Sequence, residues 1–288
     1  MRALELVKLP PLMAQTSGRP EIVIALIDGP VAVDHADLPP ERVRVAAGAA
    51  AASCSVAESV ACRHGTFVAG ILSAQRGSGA PAIAPACTLL VRPIFPEREP
   101  LTSALPSATP DALTTAITDC LEAGARILNL SLGLAQLSTM GLHRLEQALE
   151  QAAQRGALVV AAAGNQGAVG GSAITRHPWV IPVAACDQHG APTGQSNLGH
   201  AIGRRGLRAP GKAIQSLSAN GKPQTMDGTS VAAPFVTGAA ALLWSLFPNA
   251  TAAQVKHALL HAPQQRRISI VPPLLDAQAG YHHLAQFH

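Results

Sequence analysis

Aromatic residues make up only 3% of this 288-residue chain and charged residues only 13%, against 48% hydrophobic residues. There is ample material for a core. With alanine dominating it, helices should pack closely on sheets. The net charge is +4, but basic residues form only short pairs such as Arg204-Arg205 and Arg266-Arg267. A nucleic-acid binder would gather its Lys and Arg on one element, so that class is disfavoured. No stretch reaches the apolar length needed to span a bilayer, so no membrane partner is expected. The opening MRALELVKLPPLMAQTSGRP has no continuous apolar segment and does not read as a secretory signal. No Cys-x-x-Cys occurs among Cys54, Cys62, Cys87, Cys120 and Cys186, which argues against a zinc or thioredoxin-type site. Their number is odd, and reduced thiols in a cytoplasmic chain are the expectation. Cys54 and Cys62 lie close enough in sequence to bridge under oxidation.

The pattern that is present alternates short apolar runs with helical stretches. Residues 1–20 read as an irregular lead-in, and 21–288 as a single domain. Strands are expected at Ile22–Ile27, Thr88–Phe95, Arg126–Leu130, Ala157–Ala163 and Trp179–Ala185. A helix is expected from His64 to Ala74. Another starts at Thr109-Pro110-Asp111, with a cap, a proline at the first helical position and an acid in the first turn, and Gly124 follows its end. Further helices are expected near Gly141–Arg155, from Ser230, and over Thr251–His261. A loop rich in Pro, Ser and Thr covers Pro96–Ser107. Strands this apolar are covered on both faces, which implies an α/β fold with a mostly parallel central sheet.

In such sheets functional groups gather at the carboxyl ends of the strands. Asp28 follows the first strand, but Gly29-Pro30 after it also fits a plain turn. His64 opens a predicted helix, where a lone histidine is more often structural. Asn165, in AAAGNQG, is in isolation a turn residue. Ser230, or Thr229 before it, could cap the long apolar helix of DGTSVAAPFVTGAAALL, or Ser230 could be a nucleophile at a helix N-terminus. Each plain reading is respectable alone. Together, an acid, an imidazole, an amide and a serine at element ends of one sheet are the inventory of an activated hydroxyl and its oxyanion donor.

The segments IALIDGPVAVDHADL, RHGTFVAGIL, ILNLSLG, VVAAAGNQG and DGTSVAAPFVTGAAALL, in that order, resemble the subtilases, the subtilisin-like serine peptidases. The order Asp…His…Ser is that family's own. NATAAQVKHALLHA is similar to its C-terminal helix. The resemblance implies a three-layer αβα fold and a serine endopeptidase that takes peptide or precursor-protein substrates. It implies that Asp28 orients His64, that His64 is general base and then general acid, that Ser230 is the nucleophile, and that Asn165 donates to the oxyanion. It places Leu130, Ser131, Leu132 and Gly133 as an edge for extended substrate, with Ala163 and Gly164 also along the substrate. It implies no cofactor. IDGPV, CRHGT and PACTLLVRPIF look like the subtilases that process ribosomal peptide precursors in cyanobactin-type pathways.

The chain also departs from the family. A Ser or Thr usually follows the aspartate; here Gly29 does, so Asp28 must find other donors. Phe67, Val231 and Phe235 replace a His, a Met and a His of the usual pattern. The loop Ser73–Ala86, where many secreted relatives carry calcium-binding Asn and Asp, has neither, so no metal is expected. The alternatives are a catalytically weak peptide-binding module and a peptide ligase. Macrocyclising members carry an extra insertion, and no long one lies between the His64 and Asn165 motifs. An α/β-hydrolase built from Ser230, Asp276 and His282 lacks the second glycine of a nucleophile elbow.

Overall fold

The computed structural model describes residues 2–46, 53–97, 107–134, 141–261 and 269–288. Arg266-Arg267 and most of the Pro96–Ser107 loop lie outside them. The chain begins with two short helices, α1 (Arg2–Leu6) and α2 (Pro10–Gln15), and enters the first strand, β1 (Val23–Asp28). The short β2 (Val43–Val45), helix α3 (Val60–Ser73) and β3 (Thr88–Pro93) follow. Next come α4 (Pro110–Glu122), β4 (Ile127–Leu130), α5 (Leu142–Gln154) and β5 (Leu158–Ala162). A one-turn α6 (Ala173–Arg176), β6 (Val180–Cys186), α7 (His200–Arg205) and β7 (Leu207–Pro210) lead to a hairpin, β8 (Ile214–Ser216) with β9 (Gln224–Met226). The long α8 (Thr229–Leu246), then α9 (Ala252–Leu260) and α10 (Ala277–Ala285), complete the chain.

The main sheet has seven strands in the order β2-β3-β1-β4-β5-β6-β7, all parallel. The chain starts at β1 in the interior, goes to the edge strand β2, fills β3 between them, then crosses to the other side of β1 and continues from β4 to β7. The direction of building therefore reverses between β1 and β4, which opens a crevice at their carboxyl ends. Side chains alternate between the two faces, as the two-residue period of a strand requires. Ile24, Leu26, Ile127 and Val160 face a core shared with α3 and α8. Ala25, Ile27, Leu128 and Val159 face a second core beneath α4 and α5. This is the three-layer architecture expected.

Several expectations need correction. The lead-in is helical: Leu4, Val7, Leu9 and Leu12 are buried in the α3/α8 core, so its apolar residues form part of the domain. The helix expected to start at His64 starts at Val60, because Ser59 caps it by accepting from the Cys62 N–H at 3.1 Å. His64 therefore sits in the second turn. One helix does have the length and composition to cross a membrane: α8, whose 18 residues are 94% buried in the domain. Its apolar run serves the core that both layers enclose. Cys54 and Cys62 are joined in a disulfide, while Cys87, Cys120 and Cys186 are free and buried. Burial pushes the thiol of Cys87 up to about 11 and those of Cys120 and Cys186 up to about 12, which keeps them protonated and inert.

The helix-start signals at Thr109-Pro110 and Thr251 hold. Thr109 accepts from the Ala112 N–H at 3.2 Å, and Thr251 and Gln254 form a reciprocal capping box. The loop Ser73–Ala86 is tied to the N-terminal helices by Arg76. Its guanidinium donates to the carbonyls of Met13, Thr16 (2.7 Å) and Ile83 (3.3 Å).

Candidate active site

The carboxyl ends of β1, β4 and β5 and the amino end of α8 converge. Asp28, the last residue of β1, is fully buried and accepts the His64 Nδ1–H on Oδ1 at 2.7 Å. His64 Nε2 lies 3.0 Å from Ser230 Oγ, so the imidazole bridges acid and hydroxyl. With Nδ1 donating, Nε2 carries the lone pair that takes the serine proton.

The missing hydroxyl after Asp28 has a steric cause. A Cβ at Gly29 would lie 2.0 Å from the Ala61 carbonyl oxygen, in the first turn of α3. A Cβ at Gly65 would lie 2.4 Å from the Pro30 carbonyl oxygen. The two glycines let α3 press its backbone against the turn after β1, which brings His64 onto Asp28. The donor Asp28 finds instead is the Gly29 N–H, 2.6 Å from Oδ1. Oδ2 is buried with no partner among the described residues.

Ser230 is not a cap. Gly228, at φ 136°, occupies the cap position of α8 and has no side chain to cap it with. Ser230 is thus the second residue of the first turn, where backbone N–H groups have no intrahelical acceptor. Its own N–H has none among the described residues and points along the positive end of the helix dipole. Asn165 supplies the second donor. Its Oδ1 accepts both the N–H (2.8 Å) and the hydroxyl (3.0 Å) of Thr229, which leaves Nδ2 as the free end of the amide. These two donors suit the oxyanion of a tetrahedral intermediate.

Proline at position 234 has a consequence for the nucleophile. Proline has no N–H, so the Ser230 carbonyl loses its normal partner four residues on. Ser131 supplies the replacement, its hydroxyl donating to the Ser230 carbonyl at 2.8 Å. Ser131 in turn accepts from Asn129 Nδ2 at 2.8 Å, and Asn129 Oδ1 accepts from the Thr237 hydroxyl at 2.8 Å. All three side chains are buried. The chain of bonds fastens α8, from its first turn at Ser230 to its third at Thr237, to the end of β4.

The residues expected along the substrate are therefore partly committed elsewhere. Leu130 lies inside β4, paired on one side with β1 and on the other with β5, so it offers no edge. Ser131 spends its side chain on Ser230. Leu132 is buried, and the Gly133 carbonyl accepts the Ala108 N–H at 2.9 Å. The Ala163 N–H donates to Val183, and the Gly164 N–H to the Thr229 hydroxyl at 3.1 Å. Gly164 also takes φ 105°, and a Cβ there would strike Asn197. Its main work is to present Asn165. Asn197 completes that turn by accepting from the Gln166 and Ala168 N–H groups, both at 3.0 Å. The sequence does not single out Asn129, Asn197 and Thr237, and offers Thr229 only as a cap; an asparagine in the middle of an apolar strand is the visible signal for Asn129.

Asp276 caps α10 through the Ala279 N–H (2.9 Å) and pairs with Lys8, so the hydrolase-type arrangement with His282 is not formed.

The subtilase family profile matches residues 19–281. The chain belongs to the subtilase family. It is 30% identical to subtilisin DY of Bacillus licheniformis over 88% of each chain. It is 32% identical over 81% of its length to the thermostable alkaline protease of Halalkalibacterium halodurans, of which it spans 59%. Among solved structures, the prenylagaramide maturation protease PagA superposes with a TM-score of 0.81 at 30% identity, covering 96% of this chain and 98% of that one. The protease domain of PatA gives 0.80 at 30% identity over 94% and 98%. The PatG macrocyclase domain, at 23% identity and a TM-score of 0.82 over 97% and 96%, shares the fold. This subtilase is a serine endopeptidase, and the triad geometry supplies its chemistry: Ser230 attacks, His64 relays the proton to the leaving amine, and Asp28 stabilises the imidazolium.

Proposed function

We propose that this subtilase is a selective processing peptidase that removes the leader from a ribosomally made precursor peptide. The observation that carries the reading is the assembled triad, 2.7 and 3.0 Å across its two bonds, in a chain with 30% identity to PagA and to PatA over nearly its full length. A binding module without turnover has no use for a histidine aligned on both partners. Hydrolysis is preferred to ligation because the likeness to the maturation proteases is higher in identity than that to the macrocyclase domain.

Selectivity follows from how the substrate is held. The segment Ser131–Gly133 continues β4, and although Ala108 takes the Gly133 carbonyl, its remaining backbone groups suit an extended peptide, in the manner of strand addition. Contacts remote from the scissile bond then raise kcat, so truncated substrates turn over slowly. The expected result is selective cleavage of a genomically linked precursor at one site, with weak cleavage of casein and short chromogenic peptides. Comparable kcat/KM on casein fragments and on the precursor would remove the dedicated role and leave the peptidase intact. The place of action in this reading is the cytoplasm, where precursors are made. Three free, buried thiols support it and the Cys54–Cys62 disulfide weighs against it. Alkylating thiols in intact cells decides between them: Cys54 and Cys62 found modified would support the cytoplasm.

A further inference from the structure

A second concentration of histidine lies on the C-terminal helices, apart from the triad. His257 is on α9 and His261 follows its last residue, four positions later, so the two stand on one face of the helix. His283 projects from the last turn of α10. The three ring centroids are 4.4, 4.9 and 5.2 Å apart. One ring nitrogen from each lies within 4.8 Å of the other two, and His257 Nδ1 is 3.0 Å from His283 Nε2. His257 and His261 are exposed and His283 is half-buried, so solvent reaches the cluster. The peptidase chemistry uses none of the three.

We propose that His257, His261 and His283 form a binding site for a divalent transition metal of the Zn²⁺, Ni²⁺ or Cu²⁺ class, which ties α9 to α10. Imidazole nitrogen is the common ligand of these ions, whereas calcium and magnesium take oxygen. A metal–nitrogen bond of about 2.0–2.1 Å places neighbouring ligand nitrogens about 3–3.5 Å apart. The His257–His283 pair already stands at that separation, and the third nitrogen reaches it by a small ring rotation. Two histidines four apart on one helix are the arrangement that holds zinc in metallopeptidase helices, here with the third ligand brought by a second helix. Water fills the remaining positions. The ion cross-links residues 26 positions apart in sequence, so its effect is on the anchoring of the C-terminal helix. The other cluster of potential ligands, Cys54, Cys62 and Glu97, has its sulfurs committed to the disulfide.

The test uses the full chain, stripped with EDTA and desalted, and titrated calorimetrically with zinc chloride and then with nickel chloride. One equivalent is expected to bind with micromolar or tighter affinity. His261→Ala and His283→Ala are each expected to weaken it at least tenfold, and His282→Ala, one position along the same helix, to leave it unchanged. Zinc at 100 times its dissociation constant is expected to raise the Tm of the parent protein by roughly 5 °C. His283→Ala, folded by circular dichroism, is expected to lose that rise. No uptake by the parent overturns the proposal. So does uptake that survives both His261→Ala and His283→Ala, or that disappears in His64→Ala instead.

Discussion

The two ends of the triad are built by different means. Ser230 is held by a polar network: Ser131, Asn129 and Thr237 behind its carbonyl, and Thr229, Asn165 and Asn197 beside it. Asp28 is held by backbone contact. Glycines at 29 and 65 allow α3 to lie against the turn after β1, and the carboxylate keeps one oxygen without a donor among the described residues. The nucleophile moves in the reaction and must be aimed at a carbonyl, so its orientation is fixed by directional bonds. The aspartate only has to sit under an imidazole, and close packing suffices for that.

The largest expected effect removes the nucleophile. Ser230→Ala should fold normally and lose about 10⁶ in kcat, the scale reported for the relative subtilisin, and adding His64→Ala should cost little more. Retained peptidase activity in Ser230→Ala would refute the mechanism. Gly29→Ser sharpens the comparison most directly, because it places a hydroxyl beside the Asp28 carboxylate. The added Cβ collides with the Ala61 backbone, so the Tm should fall by roughly 2–5 °C, for an overpacking cost of about 1–3 kcal/mol. Activity should fall at least tenfold as His64 shifts with α3. Equal or higher kcat would show that the aspartate end lacked a donor and had room for one.

Asn165→Ala should lower kcat by roughly 10²–10³-fold with little change in KM, again the range known from subtilisin. A change mainly in KM would make Asn165 a substrate contact. Ser131→Ala is the smallest of the set. It strands the Ser230 carbonyl and the Asn129 amide in a buried place, at a cost of about 1–3 kcal/mol. Chemical denaturation should show that loss, with kcat down several-fold. An unchanged midpoint would mean that Pro234 leaves nothing for Ser131 to repair.

The sequence exposes what is local or periodic. Apolar runs gave the positions of β1, β3, β4, β5 and β6 to within one or two residues, and Thr109-Pro110 gave the start of α4. Asp28, Asn165 and Ser230 were legible because each lies at or just beyond the end of an apolar element, and His64 because an apolar helical run follows it, although the helix itself starts one turn earlier. The two N-terminal helices were not, since Pro10 and Pro11 obscure a pattern whose apolar residues matter only once α8 is beneath them. The role of Ser131 was hidden for a similar reason. It depends on a proline 103 positions later, and only the fold brings the carbonyl that Pro234 strands next to it.

Arg76 can also be viewed as an ion with a leash. Its guanidinium lies among the carbonyl oxygens of Met13, Thr16 and Ile83, ligands of the kind that would otherwise suit a free cation. A free cation stabilises a fold in proportion to the logarithm of its concentration. A charge carried on the chain has no such dependence: it is present at unit occupancy in every molecule. The union of the N-terminal helices with the Ser73–Ala86 loop should therefore be indifferent to ambient calcium: neither kcat nor this part of the stability is expected to respond when calcium is added after EDTA. What the arrangement depends on is the continuity of the peptide that presents Met13 and Thr16.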